Sequence, residues 1–218
     1  MSLSPVAIIT GGARRIGAEI SRTLHAAGYN VAIHCRHSKK EAEALSAGLN
    51  TARVDSASVH IAALNNKQNI DSLVADVLQH WGRLDILINS ASSFFPTPVG
   101  TVTEAHWNDL MDSNLKAPFF LGQACAQALQ ETRGSIINIA DIHAERPLKD
   151  HPVYCAAKAG NVMLTKALAH DLAPHVRVNG VAPGAIMWPE NESELGAEQK
   201  NKMLEKIPLQ TAGNSSDI

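Results

Sequence analysis

Short apolar runs alternate along this chain with longer segments whose apolar residues recur at helical spacing. Val6–Thr10 is a continuous apolar run of strand length, Arg15–Ala27 carries helical periodicity that Gly28 ends, and Asn30–Cys35 reads as a second strand. A helix through Lys39–Ala47, a strand near Ser58–Ala63, a helix from Ile70 to Trp81 and a strand at Leu84–Asn89 follow. The second half predicts one long helical region around Glu104–Gln130, the strand Ser135–Ala140, a helix around Val153–Leu172 and the strand Arg177–Val181. Strand and helix alternating in this way predict an α/β fold, a doubly wound parallel sheet with helices on both faces. At 218 residues the chain fits a single domain.

Composition narrows the partners. Nineteen basic and 21 acidic side chains leave a formal charge of −2, so no overall field draws the protein to nucleic acid or to an anionic membrane. Three widely spaced cysteines, Cys35, Cys125 and Cys155, make a poor disulfide framework and suit a reducing, cytoplasmic setting. The first residues lack the basic flank and apolar stretch of a signal peptide, and no apolar run is long enough to span a membrane. The ten histidines show no metal-ligand spacing, so no metal is expected, and His143 and His151 read as surface or loop residues. After Pro183-Gly184 the polar, acidic stretch Trp188–Gln199 reads as a mobile flap, and the closing Thr211–Ile218 looks like a helix cap with no helix behind it.

Three constellations carry candidate chemistry. Thr10-Gly-Gly-Ala-Arg-Arg-Ile-Gly17 lies between the first strand and the first helix, where a glycine-rich turn lets backbone approach a pyrophosphate at a helix N-terminus. Gly11, Gly12 and Gly17 are therefore cofactor candidates in a Rossmann-type fold, with a tight turn that binds nothing as the other reading. The end of the second strand, His34-Cys-Arg-His-Ser38, is basic and hydroxylic where an NAD-selecting carboxylate would stand. His34, Arg36, His37 and Ser38 thus favour the 2′-phosphate of NADPH/NADP+, unless they form a merely solvated loop. Tyr154-Cys-Ala-Ala-Lys158 sets a phenol and an ammonium on one helix face, an arrangement expected to lower the tyrosine pKa toward the working pH.

With these motifs in this order the chain resembles the short-chain dehydrogenase/reductases. The resemblance rests on the turn at Thr10–Gly17, Asn89-Ser-Ala91, Asn114, Tyr154 with Lys158, and Pro183-Gly184. It implies catalytic roles for Tyr154, Lys158 and Asn114, with Lys158 holding the nicotinamide ribose and Asn114 supporting a water relay to Lys158. It also implies cofactor contacts at Gly11, Ile16, Gly17, Asn89, Ala91, Pro183 and Gly184, and a homo-oligomer, a tetramer in such families. The small residues Ala156, Ala157, Ala159 and Gly160 would serve either that subunit contact or helix packing.

Two departures from the general family pattern occur together: Arg15 in place of the middle glycine, and Asp141 where a serine usually stands. A carboxylate there repels a carbonyl oxygen and suits a substrate with N–H donors. Both departures, with Ser92-Ser-Phe94 and the His34–Ser38 segment, resemble the pteridine reductase subgroup. That resemblance implies reduction of a pterin or folate, with Asp141 and Tyr154 as the proton-donating pair. Phe94 would stack on the pterin opposite the nicotinamide, Arg15 and Ser92 would touch both cofactor and substrate, and Trp188 would wall the pocket. Ser90 and Ala63 depart from that subgroup at positions that touch the cofactor. The alternatives are an NADPH-dependent ketone reductase of the 3-oxoacyl type, or an idle relative that binds the cofactor without turnover.

Overall fold

The computed structural model describes residues 4–186, 201, 204, 205 and 207–218. Six parallel strands form one sheet in the order β3-β2-β1-β4-β5-β6. They are β1 (Val6–Thr10), β2 (Asn30–Cys35), β3 (Ala57–Ile61), β4 (Ile86–Asn89), β5 (Ser135–Ile139) and β6 (Arg177–Val181). The helices α1 (Arg15–Ala26), α2 (Lys39–Ala52), α3 (Lys67–Trp81), α4 (Glu104–Met111), α5 (Ala117–Thr132) and α6 (Pro152–Asp171) make the crossovers. The doubly wound α/β fold read from the alternation is the one found.

All five residues of β1 are buried, because the strand is central and covered on both faces. Alternation divides them between two cores. Val6 and Ile8 pack with Leu73 and Val77 of α3 and Leu121 and Leu129 of α5, while Ala7 and Ile9 pack with Ala18 of α1 and Ala42 and Leu45 of α2. Cys35 and Cys125 are buried free thiols, and Cys155 is partly exposed.

Element edges differ from the sequence reading where side chains, rather than periodicity, set them. α3 starts three residues before Ile70 because Asn66 accepts a hydrogen bond from the Asn69 N–H, and it ends at Gly82 in a left-handed conformation. β3 lies slightly earlier than Ser58–Ala63.

The largest departure is in the long helix expected over Glu104–Gln130. It is two helices joined by a π turn, Asp112–Lys116. Pro118 has no N–H to offer the Asn114 carbonyl four residues back, so an ordinary α-helical ladder cannot run through this point. The Ala117 N–H reaches back to Asp112 instead, and the stranded Asn114 carbonyl accepts from Asn161 Nδ2 of α6 at 3.0 Å. A π turn shifts the helical phase and turns Asn114 inward, where it is 1% exposed.

Among the described residues no helix is long and apolar enough to cross a membrane. The closing segment forms a single turn, Ser215–Asp217, capped by Asn214, whose N–H donates to Asp217. Trp188 and the whole of the expected flap, Trp188–Gln199, lie outside the described residues.

Candidate active site

The strand order reverses between β1 and β4, and the loops leaving these strands part to open a crevice at the carboxyl end of the sheet. Thr10, the last residue of β1, ties the two loops together. Its Oγ1 accepts from the N–H groups of Ser90 and Ala91, both at 3.0 Å, a role the sequence reading did not single out. Gly11 has φ 63°, and a Cβ there would lie 2.9 Å from the Ala91 Cα. A Cβ on Gly17 would meet the Gly11 carbonyl oxygen at 2.1 Å. These glycines are required first by the chain's approach to itself. Helix α1, which begins at Arg15 and carries Ile16 and Gly17 in its first turn, has no side-chain cap, and such an end suits an anion.

A cavity of about 380 Å³ runs along this side of the sheet, bounded by Gly11, Arg14, His34, Arg36, His37, Ser38, Ala91 and Ser92, with Ala63 and Leu64 at its wall. Its donor set fits a dinucleotide carrying an extra phosphate: a glycine turn at one point, and a cluster of cationic and hydroxyl groups at another. Arg14 lines it and Arg15 does not; Arg15 sits at the helix start with φ 51°.

His34 needs a correction. Its ring is 2% exposed, Nδ1 lies 3.4 Å from the Gly11 N–H and Nε2 3.0 Å from the Ala62 carbonyl oxygen. Burial pushes its pKa down to about 4, so at neutral pH it is an uncharged strut between loops rather than a cation for phosphate. The Asn89 side-chain Nδ2 donates to Asn138 Oδ1 at 2.8 Å, joining β4 to β5.

At the other end of the crevice, β5 delivers Asp141 and α6 delivers Tyr154 and Lys158. The Tyr154 hydroxyl donates to Asp141 Oδ2 at 2.6 Å, while Asp141 Oδ1 accepts from the His143 N–H at 2.8 Å. One carboxylate thus caps the short turn Ile142–Ala144 and holds the phenol. Pro183 closes this edge, its carbonyl accepting from the Ile142 N–H at 3.3 Å, with Gly184 beside it in open space.

Lys158 Nζ donates to the Ile139 carbonyl at 2.8 Å and lies 5.7 Å from the centre of the Tyr154 ring. Burial pushes the Lys158 pKa down to about 8, against the opposing pull of the Asp141 charge. The expected lowering of the Tyr154 pKa is not found. Burial, then the charge and hydrogen bond of Asp141, raise it, so the phenol keeps its proton across the physiological range.

Asn114 accepts from Ser92 Oγ at 2.7 Å and donates through Nδ2 to the Ser93 and Leu110 carbonyls, each at 2.9 Å. It therefore pins the Ser92–Phe94 segment beside Tyr154. Its own carbonyl is engaged by Asn161, a residue that sequence reading missed although Pro118, four residues after Asn114, was the available signal.

Phe94 is 46% exposed, its ring centre 4.9 Å from that of Tyr154 in an edge-on contact. It is not a core aromatic; Phe95 is the neighbour that packs inward with Leu110 and Val153. His151, expected to be an ordinary loop residue, lies nearly parallel on Phe94 at 4.7 Å and 13°. It covers one face of the ring on which a flat substrate was expected to stack. Among the described residues no group of three or more His, Cys, Asp or Glu side chains is arranged to hold a metal ion.

Residues 5–200 match the family described as short chain dehydrogenase. The chain belongs to that family. Among similar proteins, pteridine reductase 1 of Leishmania tarentolae is 34% identical, covering 98% of this chain and 86% of the relative. A 3-oxoacyl-acyl-carrier-protein reductase, FabG, of Staphylococcus aureus is also 34% identical, covering 100% of this chain and 89% of its own length. FabG of Haemophilus influenzae is 33% identical over 98% of this chain and 86% of the relative. As a short chain dehydrogenase the protein is an oxidoreductase, and homologues in the family use NAD(P)H.

The Lys158 environment gives an expectation for this short chain dehydrogenase. Below about pH 8 its ammonium is intact, and above it the side chain becomes neutral and loses its hold on an anionic or hydroxylic partner. The pH profile of kcat/KM for the dinucleotide, which reports the free enzyme, should fall above about pH 8. A flat profile to pH 9.5 (about one and a half units beyond) would remove Lys158 from cofactor capture.

Proposed function

We propose that the protein reduces a dihydropterin or dihydrofolate with NADPH. The observation that carries this reading is the 2.6 Å hydrogen bond from Tyr154 to Asp141, with the exposed ring of Phe94 beside it. A carboxylate in that position disfavours a bare carbonyl oxygen, as a 3-oxoacyl substrate would present, and accepts well from the amino and ring N–H groups of a pterin. The similarity to a pteridine reductase supports the reading, and the equal similarity to FabG keeps ketone reduction as its competitor.

Bound NADPH would supply the hydride. Gly11 and the first turn of α1 would receive its pyrophosphate, Arg36, His37 and Ser38 its 2′-phosphate, Ala91 and Ser92 would line its path, and Lys158 would hold the nicotinamide ribose. Tyr154, protonated because it is buried next to a carboxylate, donates a proton to the substrate ring. Asp141 orients the Tyr154 hydroxyl and accepts from the substrate. Phe94 offers a flat face, and His151 forms the wall behind it. Phe119 on α5 and Met163 on α6 are 40% and 62% exposed, and with the exposed Ala156 and Ala159 of α6 they are the residues a homotetramer contact would use.

The test is NADPH oxidation by the purified protein with 7,8-dihydrobiopterin, dihydrofolate and a 3-oxoacyl thioester in parallel. Turnover of either pterin at a kcat/KM at least about tenfold above the thioester is the expected result. Reduction of the thioester alone would replace the pterin reading with the ketone one. Cofactor binding with no turnover of any of the three would favour the idle relative.

A further inference from the structure

An ion pair spans the crevice at its adenosine end. Arg36 Nη1, in the loop after β2, lies 2.6 Å from Asp109 Oδ1 on α4, 73 residues away in sequence. Both residues bound the 380 Å³ cavity, so the pair sits at the part of it where a 2′-phosphate would seat. α4 presents Asp109 firmly: the Ser113 hydroxyl donates to the Asp109 carbonyl at 2.7 Å and accepts from the Ser93 N–H at 3.2 Å, fixing this turn to the β4 loop.

We propose that Asp109 is an internal stand-in for the cofactor's 2′-phosphate, neutralising Arg36 when the site is open and yielding to the phosphate when NADPH binds. The proposal rests on the NADPH reading above. A carboxylate and a phosphate present the same oxygen pattern to a guanidinium, but the phosphate carries more charge and more acceptors. Arg36 and Asp109 are 45% and 33% exposed, and ion pairs this exposed are weak, so the phosphate displaces the carboxylate without a large cost. The burial of Asp109 works against its charge, while hydrogen bonds from Arg36 and Ser93 and the charges of Arg36 and His37 outweigh it and keep the carboxylate ionised. On departure of NADP+ the carboxylate offers Arg36 a partner again, which favours release. NADH, having no 2′-phosphate, leaves the pair closed.

Asp112 supplies an internal control. It borders the same cavity but pairs with Lys116 at 3.1 Å, so its removal takes away the same charge without freeing Arg36. The experiment measures NADPH and NADH affinity by nicotinamide fluorescence, and NADPH release by stopped flow, for wild type, Asp109→Asn, Asp112→Asn and Arg36→Gln. Asp109→Asn should tighten NADPH about two- to fivefold, mainly through slower release, with less than about a twofold change for NADH. Asp112→Asn should not reproduce the change, and Arg36→Gln should weaken NADPH. Unchanged or weaker NADPH binding in Asp109→Asn, or an equal gain in Asp112→Asn, overturns the latch while a loss in Arg36→Gln keeps the cofactor reading. Equal affinity of the wild type for NADPH and NADH, with no loss in Arg36→Gln, overturns the cofactor reading and the latch together.

Discussion

Tyr154→Phe should lower kcat for the proposed reduction by about a thousandfold, within the range that a positioned proton donor contributes. The substitution removes one oxygen and the 2.6 Å hydrogen bond to Asp141, and it leaves the ring where it packs against Leu110, Val153 and Phe95. Folding should therefore be intact and NADPH affinity should stay within about threefold, since the hydroxyl is engaged by Asp141 and is not among the groups proposed to hold the dinucleotide. Asp141→Asn is the informative companion. It keeps an oxygen for the His143 N–H, so the turn survives, but it takes the anionic acceptor from the phenol and should cost about tenfold in kcat. Wild-type rates in Tyr154→Phe, measured at saturating NADPH and pterin, would mean that the proton comes from elsewhere.

Gly17→Ala should be the most damaging of the small substitutions. Its Cβ would sit 2.1 Å from the Gly11 carbonyl oxygen, a backbone atom that cannot swing aside. Either α1 moves away from the β1 turn or the turn unfolds locally. Overpacking costs about 1–3 kcal/mol, and a backbone clash lies at the upper end, so Tm should fall by about 5–10 °C in a chain of this size. The same shift displaces the first turn of α1 from the crevice, and NADPH binding should weaken by at least about tenfold. A variant with unchanged Tm and affinity would show that the two backbone segments can separate at no cost. At Gly28 and Gly48, by contrast, a Cβ would meet nothing within 4 Å, so neither position carries this backbone clash.

The elements most visible in sequence were those whose burial imposes a single period. β1 and β2, almost wholly buried, have the limits read from their apolar runs, β6 has its expected limits although only Val178 of it is buried, and α6 follows its own closely. The break at Asp112–Lys116 was hidden because apolar spacing continues across it; Pro118 was the sign, and its consequence depends on Asn161 arriving from another helix. At the site, spacing four residues apart placed Tyr154 and Lys158 on one face of α6, and the structure does put Lys158 Nζ 5.7 Å from the Tyr154 ring. The electrostatic outcome was a different matter. Charge proximity alone predicted a lowered tyrosine pKa, whereas burial and Asp141 together reverse its sign.

The amino-acid order by itself determined the parallel α/β framework, the glycine turn, and the pairing of a phenol and an ammonium on one helix, because each follows from local periodicity and steric limits within a few residues. The tertiary structure decided which basic groups face the crevice as cations, turning His34 into a neutral strut, and it brought Asp109 against Arg36 and His151 against Phe94. Those outcomes depend on solvent exposure and on contacts between elements up to 73 residues apart in sequence, neither of which is encoded in any local window.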